Sequence, residues 1–310
     1  MSKTAIVFPG QGAQVVGMGK DVAAAHPAAM RVFEEADRIL NIPLSKYCFE
    51  GPAERLNATD VSQPAIFVTS VAIWQAMAAK GLAGDLAPAA MAGLSLGEYS
   101  ALHLAGWMNF EDCLRLVAER GRLMQAAAEA SVGGMVSIMN LDDAQTEALC
   151  KEAAGGEVLS PANYNCPGQI VISGSKAACD RAVGLVEKYG GRGIPLVVAG
   201  AFHSDLMQPA ADGLAPHLAA ARIETGRIPV VSNVSADYHG DPDSVRRLLR
   251  EQVARPIRWE ASMRRLVSAG FDRFVEVGPG RVLSGLMRKI DRAVKMLNFS
   301  AAAALEQPPA

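Results

Sequence analysis

The chain has 310 residues, half of them hydrophobic, enough to bury a substantial core in one large domain or two modest ones. Its 30 basic and 32 acidic residues nearly cancel, so the protein as a whole lacks the electrostatic footprint of a nucleic-acid binder. The five cysteines (Cys48, Cys113, Cys150, Cys166 and Cys179) are scattered and form no CxxC pair, which argues against a disulfide framework or a zinc site and fits a reducing cytoplasm.

In chain order, Thr4–Phe8 reads as a short apolar strand stopped by Pro9-Gly10. It is too short for the apolar region of a secretory leader, and no cleavage pattern of small residues follows. A helix is predicted over Val61–Lys80. Its most apolar part, Pro64–Ala79, carries Thr69, Ser70 and Gln75 and falls short of the about 20 mainly apolar residues of a membrane span, so no membrane segment is expected. Ala89–Ala92 is a strand, followed by helices over Leu96–Leu104 and Phe110–Ala128.

Between Ser131 and Val198 the order changes to strand (Met135–Met139), helix (Asp142–Ala153), strand (Glu157–Asn163), strand (Gln169–Ile172), helix (Lys176–Tyr189) and strand (Ile194–Val198). That βαββαβ order is the ferredoxin-like unit, and Gly133-Gly134 and Ala199-Gly200 stand at its edges, where hinges are expected. Further strands are predicted at Pro229–Val231 and Arg273–Val277 and a helix at Ser244–Val253, while the Ala-rich Phe299–Ala310 reads as frayed. The expected fold is α/β: a mostly parallel, buried sheet built from residues 1–130 and 199–310, with a small ferredoxin-like domain inserted at 131–198.

The sharpest chemical signal is Gly93-Leu94-Ser95-Leu96-Gly97, a G-x-S-x-G run between a predicted strand and a predicted helix. An isolated match of this kind is as often a helix N-cap serine. The strand–turn–helix context is that of a nucleophile elbow and makes the core α/β-hydrolase-like. In an elbow, the strained turn lifts the hydroxyl clear, and the helix N-terminus turns free N–H groups toward a developing oxyanion. A serine nucleophile needs a base. His103 lies eight residues along the same helix, roughly 12 Å away at ~1.5 Å per residue, and cannot reach. His26 and His217 sit in ordinary helical surroundings, and His239 falls in the polar loop Asp237–Asp243, where solvation is expected. His203, just past a predicted strand at the domain boundary, is the best available partner for Ser95.

Arg120 falls in the middle of the apolar stripe Cys113, Leu116, Val117, Leu123 and Met124 of the Phe110–Ala128 helix. A guanidinium aimed inward needs an anion. Either an internal Asp or Glu supplies it, or the planar fork awaits a substrate carboxylate. Gly10-Gln11-Gly12-Ala13-Gln14 lacks the Lys-Ser/Thr of a phosphate loop and has Val15 where GxGxxG needs its third glycine. It is either a tight strand-to-helix connection or the source of a second oxyanion N–H.

These residues, in order, resemble the malonyl-CoA:acyl-carrier-protein transacylases of type II fatty acid synthesis, relatives of polyketide synthase acyltransferase domains. The resemblance runs from Phe8-Pro9-Gly10-Gln11-Gly12 to Gly278-Pro279-Gly280. Between them lie Ser62-Gln63-Pro64-Ala65, Gly93–Gly97 with Glu98-Tyr99-Ser100, Arg120-Gly121, Asn163–Gln169 and Gly200–Ser204. It implies Ser95 as nucleophile, His203 as base, Arg120 as the malonyl carboxylate binder, Gln11 and Leu96 as oxyanion N–H donors, and Gln252 as support for the histidine. It also implies malonyl-CoA and an acyl carrier protein as partners, coenzyme A as part of the substrate and not a cofactor, no metal, a cytoplasmic location and a monomer. Leu94 stands where many relatives have His. Phe202, before the base, resembles malonyl-selective members, whereas methylmalonyl-selective domains tend to carry Ser there.

Overall fold

Strand β1 (Thr4–Phe8) is buried at every position, and its side chains divide between two apolar clusters. Ile6 and Phe8 enter one, Ala5 and Val7 the other, as expected of a strand covered on both faces. The computed structural model, which describes residues 2–308, places β1 inside a parallel sheet of order β2-β1-β7-β8, with β2 at Ala90–Gly93, β7 at Arg273–Val277 and β8 at Lys295–Phe299. Among the described residues one helix, Thr59–Ala79, is long and apolar enough to cross a membrane, yet 83% of its most apolar window is buried inside the protein. It is a core helix, packed against Phe110–Glu129 and Pro27–Leu40.

The second sheet is antiparallel throughout, in the order β4-β5-β3-β6, from β3 (Gly133–Met139), β4 (Leu159–Cys166), β5 (Gln169–Ser175) and β6 (Arg192–Pro195). Val136, Ile138 and Ile172 on one face pack with Leu149, Cys150 and Ala182 of the two helices Asp143–Ala154 and Lys176–Leu185. Strand order and connection match the ferredoxin-like unit expected from the sequence. Backbone bonds from Tyr164 N–H to the Ile257 carbonyl at 2.9 Å and from Ile257 N–H to the Ala162 carbonyl at 2.8 Å fasten the edge strand β4 to the larger part of the molecule.

Four expectations need correction. Pro229–Val231 makes isolated bridges, parallel at Met91 and antiparallel at Tyr238, and no strand, because two residues on the Asn233 side chain turns to bond the β2 end, and the chain leaves the sheet. The last strand of the small sheet ends at Pro195, not Val198. Pro195 has no N–H to donate, Leu196 makes one more bond to the Met135 carbonyl, and residues 196–198 then line a cavity. The Lys176–Tyr189 helix tightens into a 3₁₀ turn from Val186. The C-terminal stretch is not frayed over its described part. Leu297 and Phe299 are buried on β8, Leu305 is buried in the short Ala302–Glu306 helix, and Lys80 Nζ meets Glu306 at 2.8 Å. Pro309 and Ala310 lie outside the described residues.

Candidate active site

The elbow follows from two close backbone approaches. A Cβ at Gly93 would lie 1.9 Å from the Gly97 carbonyl carbon, and one at Gly97 would lie 2.1 Å from the Phe8 carbonyl oxygen. Only glycine fits either place, so the chain turns from β2 into the Gly97–Leu104 helix within a few residues. Ser95, between them, is held at φ 51°, a conformation that costs a non-glycine residue about 1–3 kcal/mol and persists only under outside support. Asn233 supplies that support: its Oδ1 accepts from Ser95 N–H at 2.6 Å and its Nδ2 donates to the Gly93 carbonyl at 2.7 Å.

His203, also at positive φ (58°), brings Nε2 to 2.9 Å from Ser95 Oγ and Nδ1 to 2.7 Å from the backbone carbonyl of Gln252. A carbonyl only accepts, so Nδ1 carries the proton and Nε2 presents its lone pair to the hydroxyl. Burial, reinforced by the Arg120 charge and opposed by the Gln252 carbonyl, holds the imidazole down to about 3. The ring is therefore a neutral acceptor at neutral pH.

Arg120 is 1% exposed. Nη1 donates to Gln63 Oε1 at 2.6 Å; Nη2 donates to Ser95 Oγ and to Gln252 Oε1, each at 3.0 Å. Among the described residues no ion pair involves it, whereas Arg115 and Arg122 on the same helix pair with Glu111 and Glu119. Burial pushes the guanidinium below its ordinary range, against the pull of Tyr99 and Glu98. The internal carboxylate that would explain an inward arginine blandly is not bonded to it.

Ser95 and His203 open onto a cavity of about 610 Å³ between the two sheets. One wall comes from Gly10, Gln11 and Leu94 at the ends of β1 and β2. The opposite wall is the face of the small sheet turned away from its own two helices, where Met135, Ser137, Asn163, Asn165 and Val171 lie. Phe202 lines the cavity beside His203. Neither the Gln11 nor the Leu96 backbone N–H has a protein acceptor among the described residues. Gln11 sits in the turn after β1 and Leu96 at the N-terminus of the elbow helix.

The profile of the acyl transferase domain family matches residues 5–305. The chain belongs to the acyl transferase family. It is 43% identical over 302 residues to the malonyl CoA-acyl carrier protein transacylase of Bacillus subtilis, a match that spans 97% of this chain and 94% of the relative. Its structure resembles that of an acyl carrier protein S-malonyltransferase from Vibrio cholerae with a TM-score of 0.94, at 42% identity over 98% of this chain and 99% of that one. It also resembles a malonyl-transacylase solved in complex with its type II PKS acyl-carrier protein, with a TM-score of 0.95 at 40% identity over 98% of both chains.

Within this acyl transferase Gln11, Ser95 and His203 line the cavity, Leu96 follows Ser95 in the elbow, and Arg120 and Gln252 bond Ser95 and His203, but Gln252 differs in manner from the expectation. The group that meets His203 is its backbone carbonyl, while its side chain bonds Arg120, the Ser95 carbonyl at 3.0 Å and Glu98 Oε2 at 2.8 Å. His239 is not solvated. Its side chain is fully buried and its Nε2 lies 2.8 Å from Glu98 Oε1; the loop around it stays largely exposed, and His239 alone turns inward, beside Trp107 and Glu98. His103 packs between Phe67 and Phe110, with Nδ1 at the Met108 carbonyl. Three contributors escaped sequence reasoning: Asn233, Gln63 and Glu98. Gln63 and Glu98 lie within the motifs that carry the resemblance, yet nothing local says what they touch, and Asn233 carries no signal beyond its place after an apolar run.

Proposed function

We propose that this acyl transferase moves a malonyl group from malonyl-CoA to the phosphopantetheine thiol of an acyl carrier protein, through a malonyl ester on Ser95. The observation that carries the reading is the shared position of Ser95 Oγ, between the unprotonated Nε2 of His203 and a guanidinium with no internal carboxylate.

In the first half-reaction His203 takes the hydroxyl proton as Oγ attacks the thioester carbon. The N–H groups of Gln11 and Leu96 receive the oxyanion, the C–S bond breaks, and coenzyme A leaves with the proton that His203 returns. Arg120 pairs with the free carboxylate of the malonyl ester, made available as the serine hydroxyl it bonded becomes an ester oxygen. In the second half-reaction the carrier thiol gives its proton to His203 and attacks the ester; the oxyanion forms in the same place, and Ser95 leaves reprotonated. The Gln252 carbonyl orients the imidazole as a triad carboxylate does elsewhere. Exclusion of water from the cleft between the sheets favours the thiol. These steps draw on side chains and backbone N–H groups, with coenzyme A entering as substrate. Phe202 narrows the space beside the base, which supports malonyl over methylmalonyl. A cytoplasmic location and a monomeric state belong to the same proposal, the first in keeping with five free, buried thiols. Incubation with radiolabelled malonyl-CoA should label the protein covalently, and addition of holo carrier should discharge the label; a protein that takes no label rules the reading out.

A further inference from the structure

Glu98 stands three residues beyond Ser95 in the elbow helix and is completely buried. Its carboxylate accepts from His239 Nε2 at 2.8 Å, from Gln252 Nε2 at 2.8 Å and from the Asn233 backbone N–H at 3.0 Å. Two of these donors also hold Ser95: Asn233 through the serine N–H, Gln252 through the serine carbonyl. The other ring nitrogen of His239, Nδ1, is buried with no partner among the described residues. A carboxylate this deep is unfavourable unless a cation compensates it, and the same holds for the buried Arg120 guanidinium. Both belong to one hydrogen-bonded chain, yet they do not touch. The Gln252 amide stands between them, its Oε1 accepting from Arg120 Nη2 at 3.0 Å and its Nε2 donating to Glu98.

We propose that Glu98 is the counter-charge of Arg120 and that Gln252 is the spacer that keeps the two apart. The inference rests on the reading of Arg120 as the binder of the malonyl carboxylate, and assigns Glu98 as a positioning residue for acyl groups that carry one. A carboxylate placed directly on Arg120 would occupy the fork that the substrate needs. With no carboxylate nearby, the buried cation would be uncompensated in the empty site. One intervening amide resolves the conflict: it transmits compensation through a short polar chain while offering the guanidinium a neutral acceptor that leaves its charge available. Of the five N–H donors of the guanidinium, one goes to Gln63, one to Ser95 and one to Gln252, and Nε has no partner among the described residues.

The test removes the carboxylate, adds one, and exchanges charge and amide; only the double exchange keeps their sum. Wild type, Glu98→Gln, Gln252→Glu and the double exchange Glu98→Gln/Gln252→Glu are compared by kcat/KM for malonyl-CoA against acetyl-CoA, with thermal melts to confirm folding. Gln252→Glu puts a carboxylate on Arg120 and should lower the malonyl-to-acetyl ratio by about tenfold or more, chiefly through KM for malonyl-CoA. Glu98→Gln removes the counter-charge but leaves the fork open, and should lower KM for malonyl-CoA roughly three- to tenfold while KM for acetyl-CoA stays put. The double exchange should keep the low ratio of Gln252→Glu. A double exchange with the wild-type ratio would show that hydrogen bonding alone matters and would overturn the proposal. So would a Glu98→Gln enzyme whose malonyl KM is unmoved, and that variant decides the matter if Gln252→Glu fails to fold. A wild-type enzyme with no preference for malonyl over acetyl would instead bring down the reading of Arg120, and the inference with it.

Discussion

Strands β1 and β2 of the parallel sheet are buried along their whole length, and only the residues just past their C-terminal ends face the cavity. The antiparallel sheet packs its own two helices on one face; its β3, β4 and β5 set Ser137, Asn163, Asn165 and Val171 on the cavity side, while β4 also meets the Trp259–Ser268 and Val282–Ile290 helices. A sheet covered on both faces can expose only its strand ends, where backbone register fixes position closely: Leu94 N–H still bonds the Phe8 carbonyl at 3.0 Å one residue before Ser95. A sheet with an open face offers side chains at period two, each independent of its neighbours. The chemistry of this acyl transferase therefore sits at the ends of the parallel strands, and the antiparallel face shapes the space around it. The difference predicts large, specific losses on the first side and small, general ones on the second.

The largest effect is expected for Ser95→Ala. Malonyl labelling should disappear and transfer should fall about 10⁴-fold or more, with the thermal melt of a folded protein retained. A labelled Ser95→Ala protein would refute the nucleophile assignment. Next comes Arg120→Ala, also reached from the parallel-sheet side. Loss of a charge-assisted pair in a desolvated site should reduce malonyl use relative to acetyl roughly 10- to 150-fold in kcat/KM; equal losses with both substrates would make Arg120 structural.

His203 couples this side of the molecule to pH. Between its ordinary 6.5 and about 3, the unfolded chain binds a proton at this ring that the folded protein does not. Stability contributed by the neutral ring is complete above pH 6.5 and falls as the pH drops through that window, by up to about 1.4 kcal/mol per unit. The acylation rate should nevertheless hold level below pH 6.5 for as long as the protein stays folded. Urea melts and rapid labelling at pH 7, 6 and 5 separate the two, and a rate that halves at pH 6.5 would contradict the depressed value.

On the antiparallel face, Asn165 is 8% exposed and its Oδ1 has no partner among the described residues. Asn165→Ala breaks no bond of that oxygen in the free protein, so KM for malonyl-CoA should change by less than about tenfold, with the malonyl-to-acetyl ratio unmoved. A loss as large and selective as that of Arg120→Ala would break the contrast between the sheets. The smallest effect is expected where the two sides meet. Arg281, Arg288 and Lys289 are exposed around the Val282–Ile290 helix after β7, and Lys289 Nζ reaches Gln169 Oε1 of β5 at 3.2 Å. Acyl carrier proteins are acidic. Charge reversal at Arg288 and Lys289 should raise KM for the carrier a few-fold at low salt, less at high salt, and leave KM for malonyl-CoA nearly unchanged. Carrier kinetics indifferent to the reversal would place the docking surface elsewhere.

Much of the fold is legible locally. Apolar runs bounded by Gly and Pro mark β1, β2, β5 and β7, and the order of elements marks the antiparallel unit. The β8 strand is not, because Leu297 and Phe299 become a strand only against β7. The elbow can be read from two glycines that no larger residue could replace, and Arg120 from its place in a helical stripe. His239 shows the limit: its polar loop is exposed as read, yet this one side chain turns inward to Glu98 and Trp107.

The sequence by itself determined which residues have the means: a serine in a turn that only glycines allow, a histidine after a strand, an arginine with an inward face. These depend on periodicity and on steric demands within a few residues. Tertiary structure alone decided how they are held. The acceptor for His203 is a backbone carbonyl, which every residue possesses and no sequence advertises, and Asn233 and Gln252 meet Ser95 and Glu98 across separations of 135 residues or more. Such contacts arise when packing removes water from polar groups and each must find the partner that the fold has brought within reach.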